Sequence, residues 1–420
     1  MALLLALVGC GGEAGGSATG DGSGEGGAGG DAPGSGGGGS GAGGAAEGGG
    51  GAAPVDPSAE LFDDTVLHDV YLEVEPAAWQ YLKDNFDKDI WTPANFEWKG
   101  ERAENIGIRS RGLGSRSPIK PGLKVDFDRY VAGQKFRDLK TLILDNVLQD
   151  PSLMKERLCY DVFRAVGIAA PRLSHARLFV NGDYQGIYAV VEPVNKRFVR
   201  LNFPENDGNL FDYEWVDYYY FGWLGADPAA YVPIPFKPKT NETSLDASAL
   251  VAFIATINQS QSLATDIAPY LDLDHFLRYL AVEQVFAEID GVAGDWGLNN
   301  FYVYQQGGGT RFTFIPWDKD VTLMDPARGI YQNVDQNVLT QRLLAHDDVR
   351  EEFATWAKQI AQSYATVGWL GTRIDAIEAQ LSAAVPAADA PDFSSAVDAL
   401  RAFAQSRAAA VVAELDAKAP

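Results

Sequence analysis

Cysteine is almost missing: the 420 residues contain two, Cys10 and Cys159, alongside four histidines. No Cys/His spacing of the zinc-binding kind occurs, so a structural zinc site is excluded. Cys159 lies in a run with helical pattern and reads as a small buried hydrophobe rather than a nucleophile. Basic residues are also scarce, 34 Lys and Arg against 57 Asp and Glu, for a formal net charge of −23. That balance argues against nonspecific nucleic-acid binding, which needs a positive field. It also repels polyphosphate, so a nucleotide site would need local Lys, Arg or a divalent metal. The apolar start, MALLLALVGC, is far too short to span a bilayer.

What that start does contain is Leu7-Val8-Gly9-Cys10, which resembles a bacterial lipobox. Cys10 would carry lipid and begin the mature chain, leaving Cys159 without an intramolecular disulfide partner. A basic n-region is lacking, and a start upstream of Met1 would supply it. Residues 11–58, almost all Gly, Ala, Ser and acid, bury nothing and lose much entropy if ordered, so they read as a flexible tether. The expectation is a cell-envelope lipoprotein or secreted protein, touching membrane only through a lipid anchor. About 350 residues remain for folding, with structured sequence expected from near Leu61.

Strand patterns dominate the first part. Leu67–Leu72 leads into a helix at Pro76, and Asn95–Trp98 and Asn105–Arg109 flank a turn at Lys99-Gly100. The basic, glycine-containing loop Arg109–Ser117 leads to a strand at Lys124–Asp128. PSLMKERLCYDVFRAVG reads as a helix capped by Asp150, with Pro151 in its first turn and Gly167 at its end. Asn181-Gly182 between alternating segments marks a hairpin. Residues 204–240, rich in Tyr, Trp, Pro and Asp, read as an irregular insertion. A helix over Leu273–Ile289 follows, and beyond residue 340 the pattern is mainly helical. The fold class is α+β, with a mixed or antiparallel sheet first and helices last. The boundaries drawn are 1–10 for the lipobox segment, 11–58 for the tether, 59–200 for a nucleotide-binding part and 201–420 for a catalytic part.

The chemistry gathers in two stretches. FTFIPWDKD places Asp318 and Asp320 at the end of an apolar strand, where hard-oxygen ligands would suit Mg²⁺. DWGLNNFYVY places Asp295 and Asn300 just before another strand. The two strands should pair through the Gly307–Gly309 turn, bringing Asn300 and Asp318 to one end of the hairpin. Protein kinases use such a set: an Asp for the acceptor hydroxyl, an Asn five residues on for metal, and a second metal-binding Asp across a hairpin. Asp295 is the candidate catalytic acid–base residue, with Asp290 its rival. Asn300, Asp318 and Asp320 are the candidate metal ligands, with Asn299 competing for the role of Asn300. Lys124, with Lys120 as alternative, is the candidate phosphate-binding lysine, and Glu156 its carboxylate partner. Arg109, Arg111 and Arg116 are phosphate-binding candidates of the glycine loop.

In this order the segments RSRGLGSRS, KPGLKVDF, FRDLKTLILDNVLQDPSLMKERLCYDVFRAVGIAAPR, NGDYQGIYAVVEPVNKRFV, DWGLNNFYVY and FTFIPWDKD resemble the CotH-like (spore-coat protein H) secreted kinases over roughly residues 65–350. The resemblance implies a divergent protein-kinase-like fold that uses ATP with Mg²⁺ or Mn²⁺ to phosphorylate protein Ser or Thr on the cell surface or envelope. It assigns the catalytic Asp to Asp295 and the metal-binding Asp to Asp318, and puts Glu192 near the adenine-side hinge, as a ligand-facing carboxylate or a core-edge anchor. The loop departs from the family in reading GLGSRS where polar versions are usual, and a spore-coat role does not transfer. The alternative function is a noncatalytic envelope-binding or scaffold module, a pseudokinase or a glycan or protein binder, in which FDYEWVDYYYFGWLG would present its rings to a partner.

Overall fold

The computed structural model describes residues 56–217 and 219–417. The lipobox-like Leu7–Cys10 and the glycine-rich stretch up to residue 55 lie outside the described residues. Order begins earlier than Leu61. Asp56 is held by Arg172 and Arg197, and Ser58 bonds to Asp56.

The alternating patterns fold into strands β1 (Leu67–Val74), β2 (Thr92–Trp98), β3 (Glu101–Arg111), β4 (Gly122–Asp126), β5 (Thr141–Asp145), β6 (Leu173–Val180) and β7 (Asp183–Val191). They close into a barrel of order β1-β2-β3-β4-β5-β7-β6. Neighbours are antiparallel except β1 and β6, whose parallel pairing makes the closure. The β2–β3 and β6–β7 turns have positive φ at both central residues, Lys99-Gly100 and Asn181-Gly182, the twist-compatible form for two-residue hairpins. Inside the barrel Phe96, Phe127 and Phe136 pack ring against ring. Each such buried ring contributes about 2–3 kcal/mol.

Helix α1 (Pro76–Asp84) links β1 to β2, capped by Glu75, which accepts from the Ala78 N–H. Helix α2 (Lys155–Ala165) starts four residues after the Pro151 start read from the pattern. Asp150 still serves it from outside, its carboxylate accepting from the Met154 and Lys155 N–H groups. Those bonds tighten the intervening residues into a turn with Leu153 at φ +64°. Gly167, at φ +81°, ends the segment as expected.

After α3 (Lys196–Asn202), strands β8 (Asn209–Tyr213), β9 (Phe236–Pro238), β10 (Phe301–Gln305) and β11 (Phe312–Pro316) form a second sheet of order β11-β10-β8-β9. The 204–240 stretch is therefore not an irregular insertion, since it supplies two strands. Several of its rings face inward: Tyr213 stacks on Phe301 at 4.6 Å, and Phe221, Phe236 and Tyr219 are buried with it, while Trp215 stays exposed. Apolar ring area is worth more in a core than on a surface, and the buried rings of the segment support the hairpin. Helices α4 (Ser248–Gln259), α5 (Leu263–Asp266) and α6 (Leu273–Val285) precede the hairpin, and α7 (Val338–Leu344), α8 (Asp347–Tyr364), α9 (Thr372–Leu381) and α10 (Ala390–Ala417) follow it. Among the described residues no helix is long and apolar enough to cross a membrane.

Arg407 of α10 is 1% exposed and donates to the carbonyls of Gln284, Val285, Pro326 and Arg328. It thus ties the end of α6 to the loop after the hairpin. Arg407→Met removes the donor from all four carbonyls, of which Gln284 keeps backbone partners, and is expected to cost about 3–5 kcal/mol in urea unfolding. A change within about 0.5 kcal/mol, the range of an ordinary surface substitution, would remove Arg407 from this role.

Candidate active site

Strand register sets the geometry. Phe301 pairs with Pro316, and the Trp317 N–H donates to the Asn300 carbonyl at 3.2 Å, so Asn300 and Asp318 share one end of the hairpin as expected. Both hold positive φ, +56° and +50°, a conformation Asn and Asp tolerate better than most residues. Asp290 joins them. Its carboxylate accepts from Asn300 Nδ2 at 2.8 Å and from Asn299 Nδ2 at 3.0 and 3.1 Å. Burial, with the Asp318 charge adding to it and the Asn299 bond opposing, pushes Asp290 up to about 6.

Asp295 is placed differently. It receives two bonds from Arg328, at 2.7 and 3.1 Å, and one from Asn333, so its carboxylate anchors the segment after the hairpin. Of the two acids that the sequence left in competition, Asp290 is the one bonded to the asparagine pair.

Across the hairpin end, α2 presents Glu156 and, one turn later, Tyr160. The Tyr160 hydroxyl donates to Glu156 Oε1 at 2.6 Å and accepts from the Asp318 N–H at 3.0 Å. Strand β3 brings Arg111, which pairs with Asp145 at the end of β5 and lies over the Trp317 ring. Burial and the Asp318 and Asp145 charges push Glu156 up to about 8. Burial and Asp145 also raise Asp318, and burial and Asp318 raise Asp320 well above the carboxylate range. For Arg111 burial disfavours the charge, but Asp145, Asp318 and Glu156 more than reverse it. The site thus holds more buried acid than nearby base, all of it oxygen donor, a set that fits a hard divalent cation. Among the described residues no three acidic, His or Cys side chains already stand as a metal-ligating group. The oxygens of Asp290, Glu156 and Asp145 are engaged by Asn299 and Asn300, Tyr160 and Arg111 respectively.

The cation expected beside Glu156 was a lysine, and in the structure Arg111 acts on it. Lys124 sits on β4 between buried Leu123 and Val125, so its side chain turns away from the barrel core, on the face that also carries Arg109 and Arg111. Burial, then the nearby Lys239 and Arg109, bring it down to about 8. Lys120 lies over the Tyr188 ring, and burial brings it to about 8 as well. Arg109, which lies on β3 and not in the loop as expected, and Arg116 of the loop both pair with Asp89. Glu192, 2% exposed, accepts from Arg172 and Arg197 and anchors the core edge. Sequence reasoning missed Asp145, Tyr160 and Lys319. Only Tyr160 had a signal, its i+4 spacing from Glu156 on a helix.

The family description "CotH kinase protein" matches residues 108–411, well over half of the chain. The chain belongs to the CotH kinase family. Membership supports a kinase-like activity in general. Inner spore coat protein H of Bacillus subtilis (strain 168) is 26% identical over 321 residues, covering 73% of this chain and 84% of that protein. The inner spore coat protein H-like protein of the same strain is 31% identical over 164 residues, 38% of this chain and 43% of that one. Invasin CotH7 of Rhizopus delemar is 23% identical over 251 residues, and the match spans 54% of this chain and 40% of the invasin. A solved complex of HipA, HipB and operator DNA from Shewanella oneidensis MR-1 aligns with TM-score 0.36 and 13% identity over 79% of this CotH-family chain and 67% of its own, too slight a likeness to carry an argument.

Arg111 is the cation paired with Asp145 beside buried Glu156 and half-buried Asp318. In metal-free buffer Arg111→Met is expected to lose about 3–5 kcal/mol of unfolding free energy, as when one partner of a buried pair is removed. Guanidinium titration with EDTA present checks this, and an unchanged midpoint would mean the acids do not depend on Arg111.

Proposed function

We propose that this chain transfers the γ-phosphoryl group of ATP to Ser or Thr hydroxyls of a neighbouring cell-surface or envelope protein. The observation that carries the reading is the meeting of Asp290, Asn299 and Asn300 with Asp318 at one end of the hairpin, beside Asp145, Glu156 and Arg111. Asp318, Asp320 and the Asn300 amide oxygen would hold Mg²⁺ or Mn²⁺, since the Asn300 Nδ2 is already given to Asp290. Bound there, the ion would offset the phosphate charge that an acidic chain otherwise repels. Asp290 orients the acceptor hydroxyl and takes its proton, with Asp295 as the alternative. Lys124, supported by the charges of Lys239 and Arg109, meets the phosphates, with Lys120 as the alternative. Residues 59–200 then form the nucleotide side and 201–420 the catalytic side. The printed names of the relatives, spore coat protein and invasin, agree with action outside the cytoplasm, and lipid on Cys10 would tether the kinase there.

Calorimetric titration of the full chain with ATP, with and without Mg²⁺ or Mn²⁺, tests the core of this. Metal-dependent binding lost in Asp318→Asn is the expected result. No binding under any metal condition turns the reading to a noncatalytic envelope-binding module. In a transfer assay Asp290→Asn should lower the rate by about 10²–10⁴-fold, the scale of a general acid–base residue, while Asp295→Asn costs less than about tenfold. The opposite order gives the role to Asp295.

A pH series tests the lysine. Lys124 titrates at about 8 without ligand, and bound phosphate would raise that value. Proton uptake then accompanies binding, so nucleotide affinity should fall as pH rises through about 8. Lys124→Arg, which stays charged, should flatten the profile. A wild-type profile already flat between pH 7 and 9.5 would pass the role to another cation.

A further inference from the structure

Lys319 lies between two candidate metal ligands in sequence, yet its side chain is taken wholly into the interior. It is 0% exposed, with Nζ 2.9 Å from Glu283 Oε1 and 3.9 Å from Glu288 Oε2, both glutamates being 1% exposed. A charge so far from water persists only among compensating partners, and an apolar filling would stabilise as well or better. The question is what the ionic version gives that an apolar one would not.

Each glutamate also holds backbone. Glu283 Oε2 accepts from the Val292 N–H at 2.9 Å, and Glu288 Oε1 accepts from the Asp290 N–H at 2.7 Å. Gly291 sits between those two donors, where a Cβ would lie 2.5 Å from Glu283 Oε1, so the loop approaches the glutamate closer than any side chain allows. The loop bearing Asp290 is thus clamped by two carboxylates. Both carboxylates face one ammonium group, and that group hangs from the loop bearing Asp318 and Asp320.

We propose that Lys319, acting through Glu283 and Glu288, is a positioning residue that sets the Asp290 loop and the Asp318 loop at a fixed separation for phosphoryl transfer. The inference rests on the functional reading above. Its physical content is directional: methionine fills the same volume, but only a shared cation orders both carboxylates and hence both backbone bonds.

The test compares the full-length wild type with Lys319→Met, Lys319→Arg and the charge-free triple variant Glu283→Gln/Glu288→Gln/Lys319→Met. The triple variant guards against unfolding caused by two stranded buried acids. Hydrogen exchange of the segment spanning 288–292 is read first, because it needs no activity. In Lys319→Met and the triple variant the exchange rate there should rise at least tenfold while the barrel strands keep their protection, and Lys319→Arg should restore much of it. In the transfer assay the Mn²⁺ concentration for half-maximal rate should rise at least tenfold, with the KM for ATP at saturating metal changing less than threefold. Wild-type exchange at 288–292 together with wild-type metal dependence in a folded triple variant overturns the proposal. So does global loss of protection in both Met-bearing variants, which would make the triad a general stability element. A wild type that transfers no phosphate defeats the kinase reading, and the exchange result then still decides whether Lys319 couples the loops.

Discussion

The structure turns on a crowd of buried carboxylates set against very little base. Asp145, Glu156, Asp318 and Asp320 come from a strand end, a helix and a hairpin exit, and burial together with the Asp145 and Asp318 charges raises the proton affinity of Glu156 and Asp320. In a low-dielectric setting such repulsion is strong, and it is borne only because the surrounding elements hold the groups in place. Arg111, the Tyr160 hydroxyl and the buried Lys319 charge are among what the protein itself supplies to ease it. A site so arranged prefers added positive charge, which is also what phosphate binding by a chain of net charge −23 requires.

Rigidity around that site comes from several sources that meet there. Below the hairpin, Tyr213, Phe221, Phe301 and Phe314 form a ring cluster that fixes the two strands. Beyond it, Arg407 gathers four carbonyls from α6 and the 326–328 segment, and Arg328 in turn holds Asp295. The barrel contributes Arg111 and Asp145 from adjoining parts of its sheet, where β4 pairs with both β3 and β5. Asn300 and Asp318, at the open end of the hairpin, both hold positive φ. Non-glycine residues accept that conformation when neighbouring packing over-determines it, which is common where side chains must be aimed.

Much of the site's frame was legible from the chain. The hairpin could be read because its period-2 pattern and glycine turn are local, and its register then brought Asn300 and Asp318 together. The Lys99-Gly100 and Asn181-Gly182 turns were readable for the same reason. Misreadings came where a distant partner decided. Tyr- and Trp-rich composition in 204–240 looked irregular because β8 owes its strand form to β10, some 90 residues later in the chain. The α2 start moved because Asp150 caps from outside the helix.

The sequence alone determined the α+β order, the hairpin and the placing of Asn300 and Asp318 at its open end, because those depend on short-range pattern and on residue chemistry. Tertiary structure decided that β1 pairs with β6 to close the barrel, that Arg111 rather than a lysine sits among the acids, and that Asp290 rather than Asp295 meets the asparagines. Spacing cannot distinguish two acids five residues apart in one loop. Their partners differ because Arg328 and Asn333 reach Asp295 from beyond the hairpin, while Asp290 meets Asn299 and Asn300.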